Sequence, residues 1–324
     1  MSKLSFNDLV KTLKEKYKYK FDVFTLNSFG DYSPEDSDWN YKDVPHLNIV
    51  HQNVDSVQAY ISDNVAGAIN TQKIPFFGFK FPMTLLNYEY QKHDQVYLST
   101  LGPFLIIVNT ISSEENGKTL VKTTYAIGSR GLFRFLHWLI KKAIKKNYKV
   151  LMSEDTPMRN RKGHLRSHSH DFYKPDETYS FKFTEEIYRA NTYIKSVKSP
   201  KISLKIDEIY CSNEDNVIGE KDGLMSFFTT KENEKVKLWP RTCPHEGAKM
   251  GKNCIKRERL LCPWHHRRIS HLLEIDNKSN MTLIPSIDYA VSISKEDNNV
   301  ITISYRNNPE YYNTRPYEIF RQND

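Results

Sequence analysis

The sequence predicts an α+β protein in two parts: a mixed domain over residues 1–198 and a small all-β domain over 199–308, with a polar, tyrosine-rich tail over 309–324. Three observations carry this reading. Residues 75–127 hold successive β-branched and aromatic runs, and a long stretch with apolar residues every three or four positions follows them. A Pro-bearing segment, SVKSPKISLK at 196–205, then reads as a linker. Beyond it come only short strands and turns, over about a hundred residues, a common domain size. The length, 324 residues and 38.1 kDa, suits two domains better than one.

The elements follow in order. Residues 6–18 have the composition of a short basic helix starting after Ser5. Residues 19–42, rich in Asp, Ser and Tyr with Trp39 among them, read as irregular. A helix is expected to begin near Asp43 and Pro45, because aspartate caps helices and proline suits the first turn. VYLST, PFLIIVNTI and TLVKTTYAI read as strands, with ENGK as the turn between the last two. Gly131 opens a long helix over 132–152. Leu132, Phe135, Leu136, Leu139, Ile140, Ala143, Ile144 and Leu151 make an apolar stripe expected to face a core, and Lys141, Lys142, Lys145, Lys146 and Lys149 lie off it as a solvated face. A second helix is expected around 176–195, with Tyr179, Phe183, Ile187, Ala190 and Ile194 on one side. LMSFFTT, KVKLWP, RLLCPWH, DYAVSIS and NVITISY supply the strands of the β domain.

Composition narrows the function classes. The net charge is +8, from 47 Lys+Arg against 39 Asp+Glu, with a pI near 9.0 and a mean hydropathy of −0.64. No apolar run approaches the roughly 20 residues of a membrane span. MSKLSFNDLVK lacks an apolar signal core, so a cytoplasmic location is expected. Four Cys in 324 residues do not make a disulfide scaffold. In a reducing compartment they are metal ligands or core residues.

Two of them sit in a spaced set. RTCPHEGAKMG and LLCPWHHRR place Cys243-x-His245 sixteen residues ahead of Cys262-x-x-His265. Zinc sites commonly pair Cys-x-x-Cys with a His block, whereas here each block mixes one Cys with one His. A Rieske 2Fe-2S cluster needs that mixture: two thiolates on one iron and two imidazoles on the other. A zinc ribbon is the competing reading. Cys211 and Cys254 fall outside the pattern and are expected to be buried structural residues.

The C-terminal part thus resembles the Rieske family in spacing and in its CPH and CPWH wording. Respiratory-chain members carry an extra Cys in each cluster loop; Ala248 and Trp264 stand there in this chain, which favours the ferredoxin-like and oxygenase-like branch. Where the family commonly has Gly after the second ligand His, this chain has His266 and then Arg267. Lys249, Lys252, Arg257, Arg267 and Arg268 surround the loops and are expected to steer an acidic ferredoxin or reductase toward the cluster.

The N-terminal part carries Asp43-x-x-His46-x-x-x-x-His51. With 19 Asp and 11 His in the chain, roughly 0.02 chance matches are expected. Two imidazoles and a carboxylate form the facial triad of non-haem Fe(II) oxygenases. The bland alternative is a helix start with two ordinary histidines. The stretch resembles that of the Rieske non-haem iron oxygenases. The resemblance implies a helix-grip (START-like) catalytic domain, His46 and His51 as ligands of a mononuclear Fe(II), and Asp43 as the residue bridging toward the cluster. It implies a third ligand late in the domain, matched by Asp155 in SEDTPM with Glu154 as competitor. DVPHLNIVH, LGPFLIIV and EDTPM look most like the sterol 7-desaturase, ketosteroid and phaeophorbide oxygenase branch. The family places its Rieske domain first; this chain reverses the order. The family's ring trimer, in which one subunit's cluster serves its neighbour's iron, makes a homotrimer the expected assembly.

The expected function is therefore oxidation of an apolar small molecule with O2, by hydroxylation, desaturation or demethylation. Electrons come from a separate NAD(P)H-dependent reductase, since no nicotinamide or flavin fingerprint occurs. The alternative is a Rieske electron-transfer protein fused to a hydrophobic-ligand-binding domain without catalytic iron. The basic residues around the Rieske loops favour a redox partner over nucleic acid. His164, His168 and His170 read as part of an exposed basic loop, and Phe76, Phe77, Phe79, Phe81 and Phe104 as core residues or the lining of a substrate cavity.

Overall fold

Ser5 accepts a hydrogen bond from the Asp8 amide and starts α1 (Phe6–Tyr17), as its position in the sequence predicts. The computed structural model describes residues 3–42, 46–51, 54–62, 65–73, 80–172, 194–196, 200–244, 246–276, 280–286 and 288–306. Asp43, residues 176–193 of the expected helix, His245 and the tail lie outside these, as do Phe76, Phe77 and Phe79; Ile194 and Lys195, expected to end that helix, lie instead in the strand Ile194–Ser196. The described residues divide into two units, up to Gly163 and from His164 on.

The first unit is built on seven antiparallel strands: β1 (Lys20–Gly30), β2 (Val54–Ser62), β3 (Val65–Lys73), β4 (Lys80–Gln91), β5 (Asp94–Leu101), β6 (Phe104–Glu115) and β7 (Lys118–Ser129). They stand in the order β1-β7-β6-β5-β4-β3-β2, so a meander of hairpins is extended by the first strand pairing with the last. The ENGK turn has Asn116 and Gly117 at φ 52° and 73°, which matches the right-handed twist of a two-residue hairpin. β1 and a helix over Pro34–Lys42 replace the irregular segment expected at 19–42. The apolar β1 residues Phe21, Val23 and Phe29 share a chain with Asp22, Asn27 and Ser28, and that polar interruption hides the alternation.

One face of this sheet carries Val96, Ile107 and Ala126, covered by Phe6, Leu9, Val10 and Leu13 of α1. The other face meets α4 (His137–Ser167), entered through a 3-10 turn at Gly131–Leu136. Tyr125 on β7 packs edge-on to Tyr148 at 6.4 Å, and Ser129 hydrogen-bonds His137 at 2.8 Å. A long helix held against a curved antiparallel sheet is the helix-grip, START-like arrangement. Gly163 lets α4 approach the chain after β1: a Cβ there would lie 2.2 Å from the Asp31 carbonyl oxygen. Two short helices, α2 (Pro34–Lys42) and α3 (Leu47–Val50), connect β1 to β2.

α4 departs from the expected 132–152 at both ends. It runs through Pro157 to Ser167, so Asp155 lies inside the helix rather than after it. Proline removes one backbone donor and ordinarily kinks or ends a helix; here burial of Met158, Arg159 and Lys162 holds the turns beyond it. The expected basic loop is accordingly helix as far as Ser167, with Lys162 buried over the Trp39 ring and His170 buried as well. At the other end, Leu132 and Phe135 do not reach a core but stand in solvent.

The second unit is all-β apart from short helical turns. The strand Lys201–Lys205 lies within the segment expected as a linker and pairs with Val300–Tyr305, itself paired with Tyr289–Ile293. A five-stranded sheet is built around the strands Met225–Glu232 and Lys235–Pro240, and a small three-stranded one around Arg259–Leu261. Met225, Phe227, Leu238, Leu273, Ile301 and Ile303 are among the fully buried core residues between the larger sheets.

Candidate metal centres

His46 and His51 flank α3, which is a single turn of four residues. The five-residue separation around that turn brings their rings to 5.1 Å between centroids. Asp155 reaches them from α4. Its Oδ1 lies 3.5 Å from His46 Nε2 and 3.4 Å from His51 Nε2. One ligand atom from each of the three falls within 4.8 Å of the others, and all three residues are buried. Three residues singled out from sequence thus converge, with Asp155 rather than Glu154 in the third place.

Glu154 instead supports His51. Its Oε2 lies 2.9 Å from His51 Nδ1. A carboxylate there accepts from Nδ1–H and leaves the Nε2 lone pair directed at the centre, the orientation that metal-binding histidines commonly need. Asp155 is held in turn. Asn40 Nδ2 donates to its Oδ1 at 3.4 Å, and Arg159 Nη2 lies 3.5 Å from its Oδ2. Arg159 also donates to Asn40 Oδ1, at 3.0 Å from Nε and 2.6 Å from Nη2. Arg159, fully buried and stacked 4.5 Å from the Tyr41 ring, keeps its charge, because Tyr41 and Asp155 outweigh the burial that opposes it. Neither Asn40 nor Arg159 carried any signal in the sequence.

The electrostatics suit a metal donor set. Burial pushes the Asp155 carboxyl up, but the His46 hydrogen bond and the Arg159 charge outweigh it, and the acid ends below its ordinary range. Burial, with help from His46, holds His51 below its ordinary value against the pull of Asp155. Both conditions favour an ionised carboxylate beside a neutral imidazole at neutral pH. That is the protonation state required of ligands.

In the second unit, two loops carry Cys243 and Cys262, both fully buried. Their backbones repeat one pattern. The Cys243 amide donates to the Ala248 carbonyl and the Gly247 amide to the Cys243 carbonyl, each at 2.8 Å. The Cys262 amide donates to Arg267 at 2.9 Å and the His266 amide to Cys262 at 2.8 Å. The fourth residue after each Cys has positive φ: Gly247 at 84° and His266 at 53°. His266 therefore takes a left-handed backbone that favours glycine, which gives a physical meaning to the unusual residue there. Burial, then the neighbouring Cys243 thiol, pushes Cys262 well up. Two thiols pressed together out of water are poor acids until a cation draws off their protons. Tyr289 and Tyr305 donate to the carbonyls of Thr242 and Pro244, each at 3.2 Å, and tie the first loop to the core. His265 is buried beside Glu246, Nε2 to Oε2 3.9 Å. The donor chemistry fits an iron–sulfur cluster.

Residues 207–287 match the Rieske [2Fe-2S] domain. The Cys243 and Cys262 loops both lie within that matched stretch. No curated protein matches the chain. Among solved structures, the chain is similar to the di-domain ARO/CYC BexL at 13% identity and a TM-score of 0.39, covering 47% of this chain and 53% of that one. It therefore spans about half the length of that structure. It is also similar to a protein from Thermus thermophilus (16% identity, 42% and 95% covered, TM-score 0.37). A third is the Zhui aromatase/cyclase from Streptomyces (8% identity, 44% and 96% covered, TM-score 0.39).

The basic residues around the cluster loops divide. Lys249, Lys252 and Arg257 are exposed, with Lys252 against Glu214, and Arg268 is half-buried. Arg267 corrects the expected docking patch. It is buried, 3.1 and 3.2 Å from the two Asp288 oxygens, so it braces the second loop. Cys211 corrects another expectation, being exposed rather than buried. Among the described residues no helix is long and apolar enough to cross a membrane.

Proposed function

We propose that the chain is a Rieske-type oxygenase. The observation that carries this is the convergence of His46, His51 and Asp155 in a chain that also holds a Rieske domain. In this reading His46 Nε2, His51 Nε2 and Asp155 hold one Fe(II) and leave positions open. Cys243 and Cys262 hold one iron of the cluster, His245 and His265 the other. When bound, these groups supply one-electron transfer and activation of O2. The protein's part is positioning: Glu154 fixes the His51 ring, and Arg159 holds Asp155 both directly and through Asn40. Asp43 keeps the bridging role that the family resemblance assigns to it. Electrons enter from a separate NAD(P)H-dependent reductase or an acidic ferredoxin docking near Lys249, Lys252 and Arg257.

The sheet face opposite α1 refines the expected apolar substrate. Gln95, Tyr97, Ser99 and Thr123 have buried polar side-chain atoms there with no hydrogen-bond partner among the described residues, as does Tyr148 of α4. Unmet buried groups of this kind are costly. A substrate with oxygen or nitrogen groups beside its apolar carbon would satisfy them.

Iron analysis with EPR of the reduced protein tests the proposal. About three Fe per chain are expected for the oxygenase. About two, with the cluster signal intact, would leave the non-catalytic electron-transfer reading in its place. Zinc in place of iron would remove the Rieske part as well.

A further inference from the structure

The start of α4 presents an unusual surface. Leu132 is 85% exposed, Phe135 66%, Trp138 63% and Phe133 48%. Leu132, Phe135 and Trp138 are the most exposed large apolar side chains among the described residues, and all four fall within seven consecutive positions. Clusters of this kind mark an interaction site, whereas single exposed apolar residues do not.

The charge around them has one sign. Arg130, Arg134, Lys141, Lys142, Lys145, Lys146 and Lys149 follow one another, and no Asp or Glu occurs between 130 and 153. The exposed residues Trp138, Lys142, Lys145 and Lys149 recur at three- and four-residue spacing, so aromatic and cationic groups share one face of the helix. Lys141 and Lys145 both stand over the Phe24 ring of β1, and Lys141 also lies 3.4 Å from Asp22. Trp138 stands 17 residues before Asp155, about 25 Å along the helix, so the surface is separate from the metal ligands.

We propose that this surface docks on an anionic lipid bilayer. The Leu132–Trp138 turn would insert its apolar side chains at the headgroup boundary, and the lysine face of α4 would lie against the acidic headgroups. Tryptophan and phenylalanine beside lysine are the composition of segments that lie in that boundary. A seven-residue apolar turn is far too short to span a bilayer. A second copy fits poorly, because a two-fold contact would set these cationic patches against each other.

Co-sedimentation of the full-length protein with vesicles tests this. The probes are phosphatidylcholine alone and phosphatidylcholine with a third phosphatidylglycerol, at low and high salt. The expected result is binding to the phosphatidylglycerol vesicles that weakens with salt. The Phe135→Ser/Trp138→Ser variant should lose roughly tenfold or more of that binding, and Lys142→Glu/Lys146→Glu should lose its lipid-charge dependence. These side chains are exposed, so the melting temperature and the cluster spectrum should stay at wild-type values and show that the variants are folded. Wild-type protein left in the supernatant with both vesicles would overturn the proposal. So would binding that survives Phe135→Ser/Trp138→Ser. Sedimentation equilibrium showing that this variant abolishes a dimer formed without lipid would overturn it in favour of a second copy.

Discussion

The two candidate metal centres of this chain are built by opposite means. In the Rieske domain, two loops of nearly identical backbone carry the candidate ligands, and the backbone hydrogen bonds that shape each loop lie within five residues of its Cys. In the helix-grip unit, a four-residue turn supplies two imidazoles and a helix a hundred residues later supplies the carboxylate. There the shaping partners are side chains: Glu154, Asn40 and Arg159. A loop-built centre depends on backbone conformation, a helix-built one on a buried polar network. Damage to the two should look different.

The largest contrast comes from the ligands themselves. Cys262→Ser should remove the cluster and its reduced EPR signal and leave about one Fe per chain, whereas His51→Ala should keep the cluster spectrum and about two Fe. Loss of both signals in either variant would show that the centres depend on each other. Arg159→Met comes next. It leaves Asn40 and Asp155 buried without their cation, a change that typically costs about 3–5 kcal/mol, read as a lower unfolding free energy in denaturant. Glu154→Gln weakens the hold on the His51 ring and should lower iron affinity about 10–100-fold, with the cluster spectrum unchanged.

Acid should destabilise the helix-grip unit. In the iron-free protein His51 titrates below its unfolded value and Asp155 below its own. As pH falls through the ordinary histidine value, near 6.5, the unfolded chain takes up a proton at His51 that the folded chain refuses, so stability declines from there down. The Asp155 contribution is present above the ordinary aspartate value and is lost as pH falls below it, through the depressed folded value. Melting temperatures of iron-free protein between pH 8 and 5 should therefore fall, and less so in His51→Ala. The smallest expected effect is His266→Gly. It relieves a left-handed backbone but loosens the unfolded chain, for a net stabilisation under about 1 kcal/mol with the cluster retained.

What could be read in advance tracks this difference. Cys243, Cys262 and His265 are legible as candidates because a loop-built centre keeps its donors close and in a fixed spacing. The pairing of His46 with His51 is legible for the same reason, and the candidate Asp155 that converges on them only through family resemblance. Asn40 and Arg159 were not, since a side-chain network assembled across more than a hundred residues leaves no local pattern. Strands β5–β7 announced themselves through β-branched runs. β1 did not, because Asp22, Asn27 and Ser28 imitate a loop. The stripe from Leu132 to Leu139 shows the limit of periodicity: it reports an apolar face without saying whether anything covers it.

The separation of the ligands along the chain has a consequence for folding. An ion held by His51 and Asp155 ties together residues 104 positions apart, whereas the Cys243–Cys262 pair spans 19. In the loop-closure treatment used for covalent cross-links, the longer span removes about 1.5 kcal/mol more disorder from the unfolded ensemble. The mononuclear ion would thus act as a long staple through the helix-grip unit, and the cluster as a short stitch within its own domain.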